Sequence, residues 1–78
     1  MQFVYLLKCS DDTIYTGCTK NIESRIQEHQ KGKVHYTKSR LPVELVTYCG
    51  FVDKYKAFHF EKYLKSGSGI AFRNKRLI

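Results

Sequence analysis

The run Phe3-Val4-Tyr5-Leu6-Leu7-Lys8-Cys9 constrains the fold of this chain more than any other. It is apolar at odd and even positions alike, so both faces of the strand it forms must be covered. A chain of 78 residues has one modest core, and such a core gives only ~3–5 kcal/mol of net stability. The run is therefore expected to be the central strand of the only sheet, with other layers packed on both of its sides.

Turn chemistry follows in Ser10-Asp11-Asp12. Thr13-Ile14-Tyr15-Thr16-Gly17-Cys18 then reads as the returning strand of a hairpin. Phe3, Tyr5 and Leu7 share one face of the first strand, and Thr13, Tyr15 and Gly17 share one face of the second. With suitable register both phenols converge on one side of the sheet. Thr19-Lys20-Asn21 carries N-cap residue types, and a helix is expected over about Asn21 to Gln30, with Ile22 and Ile26 as its buried stripe. Arg25 and His29 lie beside that stripe, at the margin between helix and sheet. Lys31 to Arg40 is polar, basic and expected to be a loop. Val43 to Val52 reads as a third strand and about Lys54 to Lys65 as a second helix capped by Asp53. The stripe of that helix is Ala57, Phe60, Glu61 and Leu64, with a carboxylate at one of four core-facing positions. Ser66-Gly67-Ser68-Gly69 is expected to end the helix, leaving a basic tail from Ile70 to Ile78 that forms a short helix or is ordered only in part. The fold class is α+β: one domain over residues 1–78, with a three-stranded antiparallel sheet flanked by helices in the order β-β-α-β-α plus the tail.

Charge narrows the function. Lys plus Arg number 14 against 7 Asp plus Glu, a net charge of +7, which points to an anionic partner, nucleic acid first. Cys9, Cys18 and Cys49 are odd in number and lack close pairing, which argues against a disulfide framework or a zinc site. They fit a reducing, cytoplasmic setting. Met1-Gln2-Phe3 runs into a strand without a basic leader region, and no apolar run approaches the ~20 residues needed to span a bilayer. Neither secretion nor a membrane is expected, and a monomer is the default.

Two phenols (Tyr5, Tyr15), a guanidinium (Arg25), an imidazole (His29) and one core-facing carboxylate (Glu61) are parts for cutting a phosphodiester. The reaction needs a deprotonated water, stabilised phosphorane charge and a neutralised leaving oxygen. Arg25 can fork onto the phosphate. Tyr5 is a candidate base if a nearby cation lowers its pKa from the usual ~10, with Tyr15 and His29 orienting water or relaying a proton. A divalent ion such as Mg²⁺ or Mn²⁺ tolerates one carboxylate because it keeps several waters. Taken singly, each residue has a structural alternative: a core tyrosine, a satisfied helix histidine, a surface arginine, a solvated glutamate.

Together, Phe3-Val4-Tyr5, Tyr15-Thr16-Gly17, Arg25 with His29, Tyr36-Thr37, Leu41-Pro42-Val43 and Ala57 with Glu61-Lys62 resemble the GIY-YIG nuclease superfamily, in particular its small stand-alone members. The resemblance covers essentially the whole chain. It implies DNA cleavage with one divalent metal ion. Tyr5 would be the general base, Tyr15 its partner at the scissile phosphate, Arg25 the phosphate stabiliser, His29 an assistant and Glu61 the metal ligand. Asn74 is the one downstream match to an asparagine that many members carry, and Cys18 stands where many carry lysine.

The loop residues Lys31, Lys33, His35, Tyr36, Lys38 and Arg40 interleave cations with an aromatic and fit phosphate positioning with little base readout. The expected function is a metal-dependent DNA endonuclease in repair or recombination, directed by DNA structure or by a DNA-targeting protein partner. The alternative is a non-catalytic nucleic-acid-binding module or an accessory subunit of a larger repair nuclease.

Overall fold

The computed structural model describes residues 1–78. Strand β1 is Gln2–Lys8, β2 Ile14–Thr19 and β3 Glu44–Phe51; helix α1 is Ile22–Gln30, α2 Lys54–Leu64 and α3 Gly67–Arg76. The sheet is antiparallel with order β2-β1-β3, so the doubly apolar run is the central strand, as its pattern requires. Val4 and Leu6 face α2, where they pack with Ala57 and Leu64. Tyr5 and Leu7 face the other way, toward Ile22 and Ile26 of α1 and toward Leu41 and Val43.

The hairpin turn is built as its residue types predict. Asp11 Oδ1 accepts from the Thr13 amide at 3.1 Å and from its hydroxyl, which holds the Asp11 carboxyl below the usual carboxylate range. Asp12 takes the left-handed conformation at φ 67°. Both early helices start where the caps predict: Asn21 accepts from the Ser24 amide and Asp53 from the Tyr55 amide.

The second helix ends at Leu64, just before Ser66-Gly67-Ser68-Gly69, as expected, and the same run then starts a third helix, because Ser66 accepts from the Gly69 amide and caps it. The tail is ordered as that helix: Phe72 packs on Phe60 and Tyr63, and Leu77 packs against the α2-side core. Apolar anchors outweigh the weak helix propensity of the Gly-Ser run. Gly69 allows the close crossing, since a Cβ there would overlap the Tyr63 carbonyl.

Register sets the site. Tyr5 lies opposite Gly17, and Leu7 lies opposite Tyr15. The Tyr5 ring lies over Gly17, where a Cβ would overlap the phenol Cζ and oxygen. Gly17→Ala is therefore expected to lose ~1–3 kcal/mol in urea unfolding. Gly67→Ala, which meets open space at the first turn of α3, should gain ~0.4–1 kcal/mol.

Candidate active site

Four of the expected residues meet on the α1 side of the sheet. The Tyr5 hydroxyl is 2.9 Å from His29 Nε2, and Arg25 Nε donates to the same oxygen at 3.3 Å. The Tyr15 ring stands 4.9 Å from the His29 ring and 6.2 Å from that of Tyr5. His29 is not at a margin: it is fully buried, as is Thr37, whose Oγ1 lies 2.7 Å from His29 Nδ1.

These contacts assign the protons. The Tyr5 oxygen already accepts from Arg25, so its own proton is best placed toward Nε2, and the imidazole proton then sits on Nδ1 and is donated to Thr37. No buried side-chain polar atom is left unpartnered. Burial, with Arg25 nearby, holds His29 below its ordinary 6.5, so at neutral pH it is an acceptor.

Arg25 alone does not lower the Tyr5 pKa. Burial outweighs the Arg25 hydrogen bond, and the phenol is pushed up to about 12. Tyr5 is 1% exposed, whereas Arg25 keeps 32% of its side chain in solvent. Arg25 is therefore the member of the group that can meet a phosphate from outside.

Glu61 is not in this cluster. It is on α2, on the opposite face of the sheet, near Cys18, whose thiol is pushed up chiefly by its own burial and in smaller part by the Glu61 charge. Tyr5 thus lies against Gly17 on one face of β2 and Glu61 beside Cys18 on the other. β2 is an edge strand, so its free edge is where the two faces adjoin. Glu61 accepts a hydrogen bond from Lys65 at 3.2 Å, with 23% of its own side chain exposed. No group of three His, Cys, Asp or Glu stands together to cage a metal. A part-exposed carboxylate held only by a surface lysine fits an ion that takes most of its shell from water and phosphate. Asn74 is exposed on α3, where its side chain accepts from the adjacent Arg73, and nothing joins it to the cluster.

In the basic loop, Lys31, Lys33, His35 and Lys38 are exposed. Arg40 is committed elsewhere: it pairs with Asp11 at 3.1 Å, donates to the Tyr36 carbonyl and lies over the Tyr36 ring. Tyr36 stands 5.5 Å from Tyr15, which brings the loop to the site. Sequence reasoning missed Thr37 as the histidine's partner. A lone threonine in a polar loop gives no periodic signal; only its place beside Tyr36 set it apart.

A family model described as the GIY-YIG catalytic domain matches residues 1–74. The chain belongs to the GIY-YIG family. This is a nuclease superfamily, and its small members carry names that assign no activity. A UPF0213 protein of Syntrophus aciditrophicus is 63% identical over 46 residues, 56% of this chain and 53% of that protein. One from Clostridium perfringens is 46% identical over 66 residues, covering 83% of this chain and 71% of its own length. The solution NMR structure of a UPF0213 protein from Bacillus halodurans aligns with a TM-score of 0.61 at 33% identity, over 99% of this chain and 87% of that one. The GIY-YIG chain described here shares with that structure the α+β sheet-and-helix frame. No helix is long and apolar enough to cross a membrane.

The buried network yields two expectations. Thr37→Val should leave the Nδ1 proton unpartnered and cost ~1–3 kcal/mol of stability. Because the folded pKa of His29 lies below 6.5, the unfolded chain protonates first. Its contribution is complete above pH 6.5 and is lost as pH falls through the depressed value. Calorimetric Tm should drop over that window in the wild type and less steeply in His29→Gln.

Proposed function

We propose that this chain is a metal-dependent endonuclease that hydrolyses DNA phosphodiester bonds, acting in repair or recombination on DNA presented by its structure or by a protein partner. The observation that carries this reading is the hydrogen-bonded line from Arg25 through Tyr5 and His29 to Thr37. It starts from a part-exposed guanidinium that also lies 3.7 Å from Glu28 and ends at Thr37 in a basic loop, in a chain of net charge +7. A fold that needed only a filled core would place an apolar side chain at each of these positions at lower desolvation cost.

Arg25 forks onto the scissile phosphate and, with Lys31, Lys33, His35 and Lys38, sets its position. Tyr15 and Arg25 are the part-exposed neighbours of the Tyr5 hydroxyl, and the attacking water reaches it between them. A phenol with a pKa near 12 is a poor acceptor by itself. Tyr5 therefore takes the water's proton as it hands its own to His29 Nε2, and the Thr37 hydroxyl holds the imidazole in the required tautomer. Glu61 would hold a Mg²⁺ or Mn²⁺ ion, which when bound supplies positive charge against the phosphate and the leaving oxygen. Asn74 has no role that its place on α3 supports. The three free cysteines fit a reducing cytoplasmic setting.

A second reading keeps the fold and the charge for binding alone, as an accessory module, and the buried, neutral Tyr5 is the observation that favours it. The two part on one comparison. With labelled duplex, single-stranded, flap and branched DNA in low salt with Mg²⁺ or Mn²⁺, the wild type should cut and a chelator should stop it. Tyr5→Phe should slow cutting by ~10²–10⁴-fold with binding intact. Glu61→Gln should abolish it while binding holds or tightens, because a carboxylate that repels phosphate is gone. Normal rates in Tyr5→Phe would remove the phenol from the mechanism, and DNA bound but never cut would leave the binding module.

A further inference from the structure

The edge strand β2 carries a second feature, which shares only Tyr15 with the hydrolytic cluster. Its residues alternate between the two faces of the sheet, and around its free edge they line a hollow of about 280 Å³. Tyr15 enters from the α1 side with Tyr36 of the basic loop. Ile14 enters from the α2 side with Lys65, Ile70 and Arg73. The Tyr15 and Tyr36 rings are 5.5 Å apart and tilted by 36°. Ile70 and Tyr36 are 38% and 42% exposed, so the lining opens to solvent.

The lining chemistry is selective. Two phenol rings and two isoleucines offer flat and apolar contact. Lys65 and Arg73 offer positive charge, and no acidic side chain lines the hollow. Arg73 forms no ion pair and donates only to its neighbour Asn74. Lys65 already pairs with Glu61, so a purely apolar ligand would leave Arg73 without an acid partner, and a bare phosphate would leave the rings uncovered. A flat heterocycle carrying a phosphate satisfies both. The volume admits one base with its sugar and is too small for a stacked pair, and a base enters only if it has left its helix. Tyr15 belongs to both the hollow and the Tyr5–His29 cluster, so the occupant lies next to the phosphate that Arg25 meets.

We propose that this hollow is a subsite for one unpaired nucleotide of the DNA, flanking the phosphate to be cut. The inference rests on the nuclease reading and deepens it: substrates are DNAs that already offer an unstacked nucleotide, at a bulge, a flap junction or a frayed end, because extracting one from intact duplex costs unpairing and unstacking energy. The base stacks on Tyr36 and Tyr15, and its phosphate lies against Arg73, with Lys65 shared between that phosphate and Glu61. Stacking is tolerant of base identity, so preference follows DNA structure and not sequence.

The test separates binding from cutting. With the full chain in a chelator, fluorescence anisotropy compares a duplex bearing one unpaired nucleotide with the fully paired duplex of the same sequence. The expected preference is about tenfold. It should fall to about twofold or less in Tyr36→Leu, which keeps apolar bulk but removes the ring, and in Arg73→Ala. Each variant is checked for wild-type folding by circular dichroism, and two variants guard against one failing to fold. Equal affinity of the wild type for both DNAs, or a preference unchanged in both variants, would overturn the subsite. Cleavage is then assayed in Mg²⁺. Preference without cleavage would sink the nuclease reading and leave the subsite in place. Cleavage of both DNAs without preference would do the reverse.

Discussion

The hydrogen bond between the Tyr5 hydroxyl and His29 Nε2 is the contact on which the rest of the molecule depends. It joins the central strand to α1 inside the core, where a polar pair is tolerated only if every donor and acceptor is matched. The match needs Arg25 on one side and Thr37 on the other, so α1 and the basic loop are both drawn in. It needs Gly17 opposite Tyr5, because no side chain fits beneath the phenol. The register of the hairpin, the docking of α1 and the path of the loop are thus tied to one buried oxygen and one ring.

The elements were legible because their signals are local and periodic. A doubly apolar run makes a central strand, Asp11 and Asp12 make the turn, and Asn21 and Asp53 make caps. Tyr5, Tyr15, Arg25 and His29 could be placed on one side because alternation in strands and spacing in helices fix directions without knowledge of tertiary structure. What was not legible depends on contacts distant in sequence. Thr37 meets His29 through a loop whose conformation no pattern specifies. The third helix was one of two readings of the tail, and its start was not legible because its first residues are Gly and Ser; its stability comes from Phe72 against Phe60 and Tyr63, a pairing visible only after folding.

The sheet edge explains why Glu61 looked closer to the cluster than it is. Its position on the core-facing stripe of α2 was correctly read, but α1 and α2 cover opposite faces of the same sheet. Residues from the two helices can serve one substrate only where the sheet ends, and β2, which carries Tyr15, is one of its two edge strands. An edge strand usually has to be protected from pairing with other chains. Here its flank is occupied by Tyr15, Tyr36, Lys65 and Arg73, bulky and basic side chains that disfavour strand addition and favour a polyanion.

The Tyr5 phenol shows how the order of magnitudes decides a role. A guanidinium hydrogen bond and its field favour phenolate, and in an open site that would lower the pKa. Tyr5 is enclosed, so the loss of hydration on ionising is the larger effect, and the balance goes upward to about 12. The same enclosure lowers the histidine beside it. Burial therefore moves the two groups in opposite directions and keeps both neutral, one as a proton donor and the other as its acceptor. Within the pair a proton shifts from Tyr5 to His29 without creating a buried net charge, and the positive charge left on His29 once Tyr5 takes the water's proton is the counterpart of the hydroxide formed. That property suits a relay better than it suits either residue as a lone base, and it follows from placing both on the inner side of Arg25.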